Sequence, residues 1–208
     1  TFGRSVAAGD VDSDGDTDLV VGAPTYSTNY GAAYIFYDDA TSPYGTSVCT
    51  GCSASNADKI ITSADVGGMF GTSVTIGDFS NDGRADLLVG APTAYNSANN
   101  GYVYYFWNDG DYGSTTDYAD GLIQFNGGGR GGSAVIVGDL NQDARNDLVV
   151  GQPTYNSDSN LGRFTAYFGH RAQVSPPTIS TMTVYDTSGF TNDSTPGINV
   201  TPSSTAGI

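Results

Sequence analysis

Apolar residues recur along this chain in short runs rather than in helical stripes. The runs Leu19–Gly22 (LVVG), Leu87–Gly90 (LLVG) and Leu148–Gly151 (LVVG) each follow an aspartate-rich polar loop and lead into a proline-containing turn. The apolar-rich segments SVAAGDV and SVTIGDF precede the first two loops. Aromatic stretches follow the turns: GAAYIFY at 31–37, GYVYYFW at 101–107 and GRFTAYF at 162–168. KIIT at 59–62 and LIQF at 122–125 give the first two units a fourth short strand, and the third unit has no such segment nearby. No segment holds a 3.6-residue period between helix caps, so the pattern predicts an all-β chain. The aromatic strands are filled on both faces, Tyr102, Tyr104 and Phe106 against Val103, Tyr105 and Trp107. A strand apolar on both sides is sandwiched between sheets, which favours core packing over a ligand-stacking platform.

The same pattern exposes a repeat. FGRSVAAGDVDSDGDTDLVVGAP (Phe2–Pro24), FGTSVTIGDFSNDGRADLLVGAP (Phe70–Pro92) and GGSAVIVGDLNQDARNDLVVGQP (Gly131–Pro153) align without a gap. Their spacing suits one four-stranded unit per copy.

Each copy carries a nine-residue loop with oxygen-bearing residues at fixed positions. The first, third, fifth and ninth are Asp10, Asp12, Asp14 and Asp18; Asp78, Ser80, Asp82 and Asp86; and Asp139, Asn141, Asp143 and Asp147. The seventh is Asp16, Arg84 or Arg145, so a backbone carbonyl is the only oxygen common to all three there. The first copy begins like an EF-hand, but the twelfth position of that motif must be a bidentate Glu, and here it is Val21 in a β-branched run. The alternative is a loop between antiparallel strands that clasps an ion. Hard oxygen donors without His or Cys favour Ca²⁺, up to three ions in all. Hairpin turns that satisfy their own backbone without an ion are the competing reading, weakened by three copies of one spacing. The sixth position is Gly15, Gly83 and Ala144, so a turn needing positive φ is strained in the third copy, expected to be the least regular site.

Charge narrows the partners. With 22 acidic against 7 basic residues the formal charge is −15, which disfavours nucleic acid and anionic membranes and favours cations. No apolar run reaches the ~20 residues that cross a bilayer. The chain begins inside a motif, as expected of a mature or excised piece of a longer protein. Cys49 and Cys52, in CTGC, are the only cysteines. A small loop disulfide is favoured, with free thiols or redox or metal chemistry as alternatives, and a disulfide would place the chain in an oxidising, extracytoplasmic compartment.

The run FG…GD-x-[DSN]-x-D-[GA]-x-x-DL-[VL]-VG-[AQ]-P resembles the FG-GAP repeat, the blade unit of integrin alpha-subunit β-propellers and of many secreted surface proteins. Copies one and two keep both FG and GAP, while the third has Gly131-Gly132 and Gly151-Gln152-Pro153. The resemblance implies a partial β-propeller of three blades, each a four-stranded antiparallel sheet with a calcium-binding hairpin loop between its first and second strands. It implies ligands on the opposite face, at loops such as Thr25–Tyr30, Thr93–Asn100 and Thr154–Asn160. The expected divisions are blade 1 at 1–68, blade 2 at 69–129, a divergent blade 3 at 130–173, and a Ser/Thr/Pro-rich tail at 174–208. Propellers close with about four to eight blades. Three blades imply that others lie outside this chain, that strands are borrowed, or that several chains complete one another.

In the tail, TISTMTVYD reads as one strand. It is the third blade's last strand before a linker, part of a truncated next domain, or a strand donated to a neighbour. TNDSTP resembles the start of bacterial immunoglobulin-like modules. Asn192 and Asn199 match the N-glycosylation pattern, the second weakened by Pro202, and matter only in a host that glycosylates.

The function expected is a non-enzymatic, calcium-stabilised extracellular adhesion or interaction module within a larger secreted or cell-surface protein, with a protein or glycan ligand. A head-to-tail surface filament of homo-oligomeric subunits is the second reading. An accessory domain of a secreted hydrolase is the third, disfavoured because the sole histidine, His170, has no nucleophile elbow beside it.

Overall fold

The computed structural model describes residues 1–38, 53–94, 100–110, 112–154 and 162–169, and the backbone of 180–185. Cys49, Cys52, His170, Asn192 and Asn199 lie outside the described residues, as do 95–99 and 155–160 of the proposed ligand loops.

Three four-stranded antiparallel sheets follow one another along the chain. The first is β1 (Ser5–Gly9), β2 (Asp18–Ala23), β3 (Ala32–Phe36) and β4 (Lys59–Thr62). The second is β5 (Ser73–Gly77), β6 (Asp86–Ala91), β7 (Tyr102–Phe106) and β8 (Gly121–Gln124). The third is β9 (Ala134–Gly138), β10 (Asp147–Gln152), β11 (Arg163–Phe168) and β12 (Ser180–Tyr185). Strand order equals chain order in every sheet, the meander of a propeller blade. The third blade's fourth strand comes from the Ser/Thr/Pro-rich tail: β12 pairs with β11, Phe164 opposite Val184 and Ala166 opposite Met182.

The two-faced apolar strands pack as their pattern requires. Val20, Ala33, Ile35 and Ile61 of blade 1 share a core with Phe70, Leu87, Val89, Tyr104 and Phe106 of blade 2. Leu88 and Val103 point the other way and meet Phe125, Leu148 and Val150 at the seam with blade 3. Burying each such side chain stabilises the seams by roughly 1.5–3 kcal/mol.

Glycines let the blade backbones touch. A Cβ on Gly22 would lie 2.1 Å from the Gly71 carbonyl oxygen, and one on Gly90 would lie 2.0 Å from that of Gly132. The FG glycine of each following blade thus rests on the VG glycine of the blade before it. Ser5 Oγ donates to Gly71 O (2.9 Å) and Ser73 Oγ to Gly132 O (2.7 Å) across the same seams. The equivalent residue of blade 3 is Ala134, which has no hydroxyl to give.

The missing FG phenylalanine of blade 3 has a substitute. Phe70 is fully buried, edge-on to Tyr104 (5.6 Å) and Phe106 (6.4 Å) of its own blade. Gly131 occupies the corresponding place in blade 3, and a Cβ there would collide with the Phe125 ring, 2.1 Å from Cγ. Phe125, just beyond β8 of blade 2, fills that space and packs edge-on against Tyr167 at 6.3 Å. The register makes Tyr167 the counterpart of Phe106, each opposite the first leucine of the second strand.

Candidate metal-binding loops

The three aspartate loops lie between β1 and β2, β5 and β6, and β9 and β10, and no helix flanks them. Their backbones repeat one construction. The first-position carboxylate accepts the N–H groups of positions five and six: Asp10 from Asp14 and Gly15, Asp78 from Asp82 and Gly83, Asp139 from Asp143 and Ala144. The fifth-position carboxylate accepts the N–H of position seven, from Asp16, Arg84 or Arg145. Positions four and six are left-handed in every copy: Ser13, Asn81 and Gln142 at φ 65, 59 and 61°, then Gly15, Gly83 and Ala144 at φ 97, 94 and 67°. Ala144 therefore takes the conformation expected to be strained, at a cost of roughly 1–2 kcal/mol.

The ninth-position aspartates do more than the sequence suggested. Asp18, Asp86 and Asp147 are buried, and each uses both oxygens to hold backbone. One oxygen accepts the N–H of Val11, Ser80 or Leu140 within its own loop. The other accepts the N–H of Asp38, Asn108 or Gly169, just past the third strand of the blade. Each thereby ties the loop to a segment about twenty residues away.

In loop 1 one oxygen each of Asp10, Asp12 and Asp18 lie within 4.8 Å of one another. Asp14 is engaged by the Asp16 N–H, and the exposed Asp16 can offer its carbonyl. The exposed Asp12 carboxyl lies above the usual carboxylate range, through partial desolvation and the Asp18 charge beside it. Burial likewise raises Asp18, against the pull of the Asp38 and Val11 N–H groups, and the Asp14 and Asp10 charges push the same way. Asp86 is raised by burial against the N–H groups of Ser80 and Asn108. Ser80 Oγ, beside the Asp86 carboxylate, is buried and makes no hydrogen bond of standard geometry. Crowded carboxylate oxygens in loop 1, and a buried hydroxyl beside the Asp86 carboxylate in loop 2, make all-oxygen donor sets that fit a hard cation. Loop 3 is the irregular one: Arg145 lies 3.7 Å from Asp143, whose second oxygen also accepts Asn141 Nδ2 at 3.3 Å.

Comparison with known proteins matches the FG-GAP repeat to residues 2–36, 70–106 and 131–167, the first three strands of each blade with the loop between the first two. This chain belongs to the FG-GAP repeat family. Integrin alpha-5 of Xenopus laevis is 32% identical over 182 residues, covering 83% of this chain and 16% of that protein. Human integrin alpha-IIb is 34% identical over 182 residues, covering 81% of this chain and 15% of that protein. Phosphatidylinositol-glycan-specific phospholipase D of Rattus norvegicus is 30% identical over 186 residues, covering 81% of this chain and 20% of that protein. The chain thus spans no more than a fifth of the length of these relatives. The three sheets are FG-GAP blades of a partial β-propeller, and no helix among the described residues is long and apolar enough to cross a membrane.

Sequence reasoning located all three loops but missed the residues that join them. Asn108 Nδ2 donates to the Asp10 carbonyl (3.3 Å), and Asn146 Nδ2 donates to the Asp78 carbonyl (2.9 Å). Only the strand packing brings these groups together, since they lie 98 and 68 positions apart. On the opposite side of the molecule, the loop after β2 forms a tight turn at Tyr26–Asn29 with Ser27 and Thr28 left-handed.

Proposed function

We propose that the chain is a calcium-stabilised extracellular interaction module, a non-enzymatic segment of a larger secreted or cell-surface adhesion protein. The observation that carries this reading is one loop construction in three copies, with the first-position carboxylate holding the same two N–H groups in each. Calcium would be held by Asp10, Asp12, Asp14, Asp18 and the Asp16 carbonyl; by Asp78, Ser80, Asp82, Asp86 and the Arg84 carbonyl; and by Asp139, Asn141, Asp143, Asp147 and the Arg145 carbonyl. Bound there, it would offset the clustered carboxylate charge of each loop and pin the loop to its blade. The relatives named integrin alpha support an adhesive role, with a protein or glycan ligand at the loops opposite the calcium side. The relative named as a phospholipase D is matched over only a fifth of its length, which is compatible with a binding part of a larger protein.

Extracellular calcium modules bind at about 0.1–1 mM. At ten times that dissociation constant each occupied site adds about 1.4 kcal/mol. Chelation is expected to lower the melting temperature and added calcium to restore it, with Asp14→Ala and Asp82→Ala each removing part of the calcium-dependent gain. A melting curve unchanged by EDTA refutes the reading.

Head-to-tail assembly into a filament is a second reading, favoured by the two flanking sheet faces. Phe2 and Val6 are exposed on the outer face of blade 1, and Ile136 and Phe164 on that of blade 3. Sedimentation of a single monomeric species at micromolar concentration would count against it.

A further inference from the structure

In both blade seams the carbonyl of a loop's first aspartate is held by an asparagine amide from the following blade. For loop 1 the donor is Asn108, whose backbone N–H binds Asp86 of loop 2 and whose carbonyl accepts Arg84 Nη1 from that loop (3.1 Å). For loop 2 the donor is Asn146, itself a residue of loop 3. Asn146 also gives its backbone N–H to Asn81 Oδ1 (2.9 Å), at a left-handed position of loop 2. The three loops therefore form one hydrogen-bonded line: loop 1, Asn108, loop 2, Asn146, loop 3.

We propose that these asparagines couple cation binding between neighbouring loops, so that an ion in one loop tightens binding in the next. The proposal rests on the calcium reading above and concerns what the chain's own residues add to it. Asn146 lies between Arg145, which offers a carbonyl, and Asp147, which offers a carboxylate, so an ion in loop 3 fixes the peptide on both sides of it. A fixed Asn146 holds the Asp78 carbonyl and the Asn81 side chain, pre-ordering loop 2 before its own ion arrives. Ordering already done by the first ion is not charged to the second, which is positive coupling. The same coupling acts from loop 2 to loop 3, because linkage between binding sites is reciprocal. Asn108 joins loops 1 and 2 by the same arrangement.

The test is a calcium titration of chelator-stripped protein, followed by NMR at the Gly83 amide for loop 2 and the Ala144 amide for loop 3. Asp143→Ala, which silences loop 3, is expected to weaken calcium binding at loop 2 by roughly fivefold, the low end of ordinary coupling. Asn146→Ala is expected to weaken loop 2 similarly, and adding Asp143→Ala to it should then change nothing further at Gly83. Should Asn146→Ala fail to fold, Asn81→Gly removes the second contact while keeping the left-handed backbone, and the same loss of coupling is expected. A Gly83 midpoint that ignores Asp143→Ala, or an effect that persists undiminished without Asn146, overturns the coupling while leaving calcium binding intact. A Gly83 amide that never responds to calcium overturns the calcium reading and the coupling with it.

Discussion

Restoring the family's phenylalanine to the third repeat should damage this protein unless Phe125 is removed at the same time. Phe125 is 3% exposed, and its ring occupies the volume into which a side chain at 131 would project, with Cγ, Cδ2 and Cβ at 2.1, 2.4 and 2.5 Å from the Cβ position. Gly131→Phe alone therefore drives one of two rings out of a single socket, and overpacking of this kind costs about 1–3 kcal/mol. Phe125→Ala alone empties the socket over Tyr167 and the seam core of Leu148 and Val150, at about 3–5 kcal/mol. In the double variant the new ring at 131 takes the vacated place, as Phe70 does in blade 2. Its loss should fall short of the sum of the single losses by at least ~2 kcal/mol, well beyond the few tenths expected of independent sites. Urea unfolding followed by the fluorescence of Trp107, the single tryptophan, gives all four stabilities. Additive losses would refute the idea that Phe125 stands in for the missing residue.

Two further substitutions examine the loops. Gly83→Ala should cost about 1 kcal/mol from its φ of 94° alone, since no atom lies within 4 Å of the added Cβ, whereas Ala144→Gly should gain up to ~1 kcal/mol. A lower urea midpoint for Ala144→Gly would contradict the strain assigned to loop 3. Alkaline pH should destabilise the fold through its buried tyrosines. Burial, with the Asp65 carboxylate bound by its hydroxyl, raises the Tyr104 pKa, and burial with neighbouring Tyr37 and acidic charges raises that of Tyr112, whose hydroxyl binds the Val11 carbonyl. A raised folded pKa contributes stability that is complete below the unfolded value near 10 and is lost as pH climbs above it. Melting temperature should fall from about pH 10 upward, less steeply in Tyr112→Phe. Absorbance at 295 nm showing every tyrosine ionising near pH 10 in the folded protein would contradict this.

Local rules carried the sequence a long way. Two-faced apolar strands, Gly-Ala-Pro turns and alternate oxygens each depend on neighbours a few residues apart, so the blades, most of their strands and the three loops could be read from one copy and checked against two more. The repeat also explains why Gly15 and Gly83 stand where they do, and why Ala144 is the exception. What escaped were groups whose partners lie far along the chain. The ninth aspartates read as oxygens for an ion, yet burial makes each a clamp on a backbone N–H about twenty residues downstream. Asn108 and Asn146 carried no motif, because their partners belong to the preceding blade.

The sequence by itself determined the repeating unit, its all-β character and the positions of the oxygen-rich loops, because strand periodicity and turn chemistry are short-range. Only the tertiary structure decided how the units complete one another. The tail strand β12 was legible as a strand, but its place beside β11 is a pairing between distant segments. Gly131 departs from the repeat's phenylalanine, and the Phe125 ring, from the preceding blade, occupies its place. A seam is formed by surfaces far apart in sequence and filled by volume rather than by pattern, so a residue from one blade can supply what its neighbour lacks.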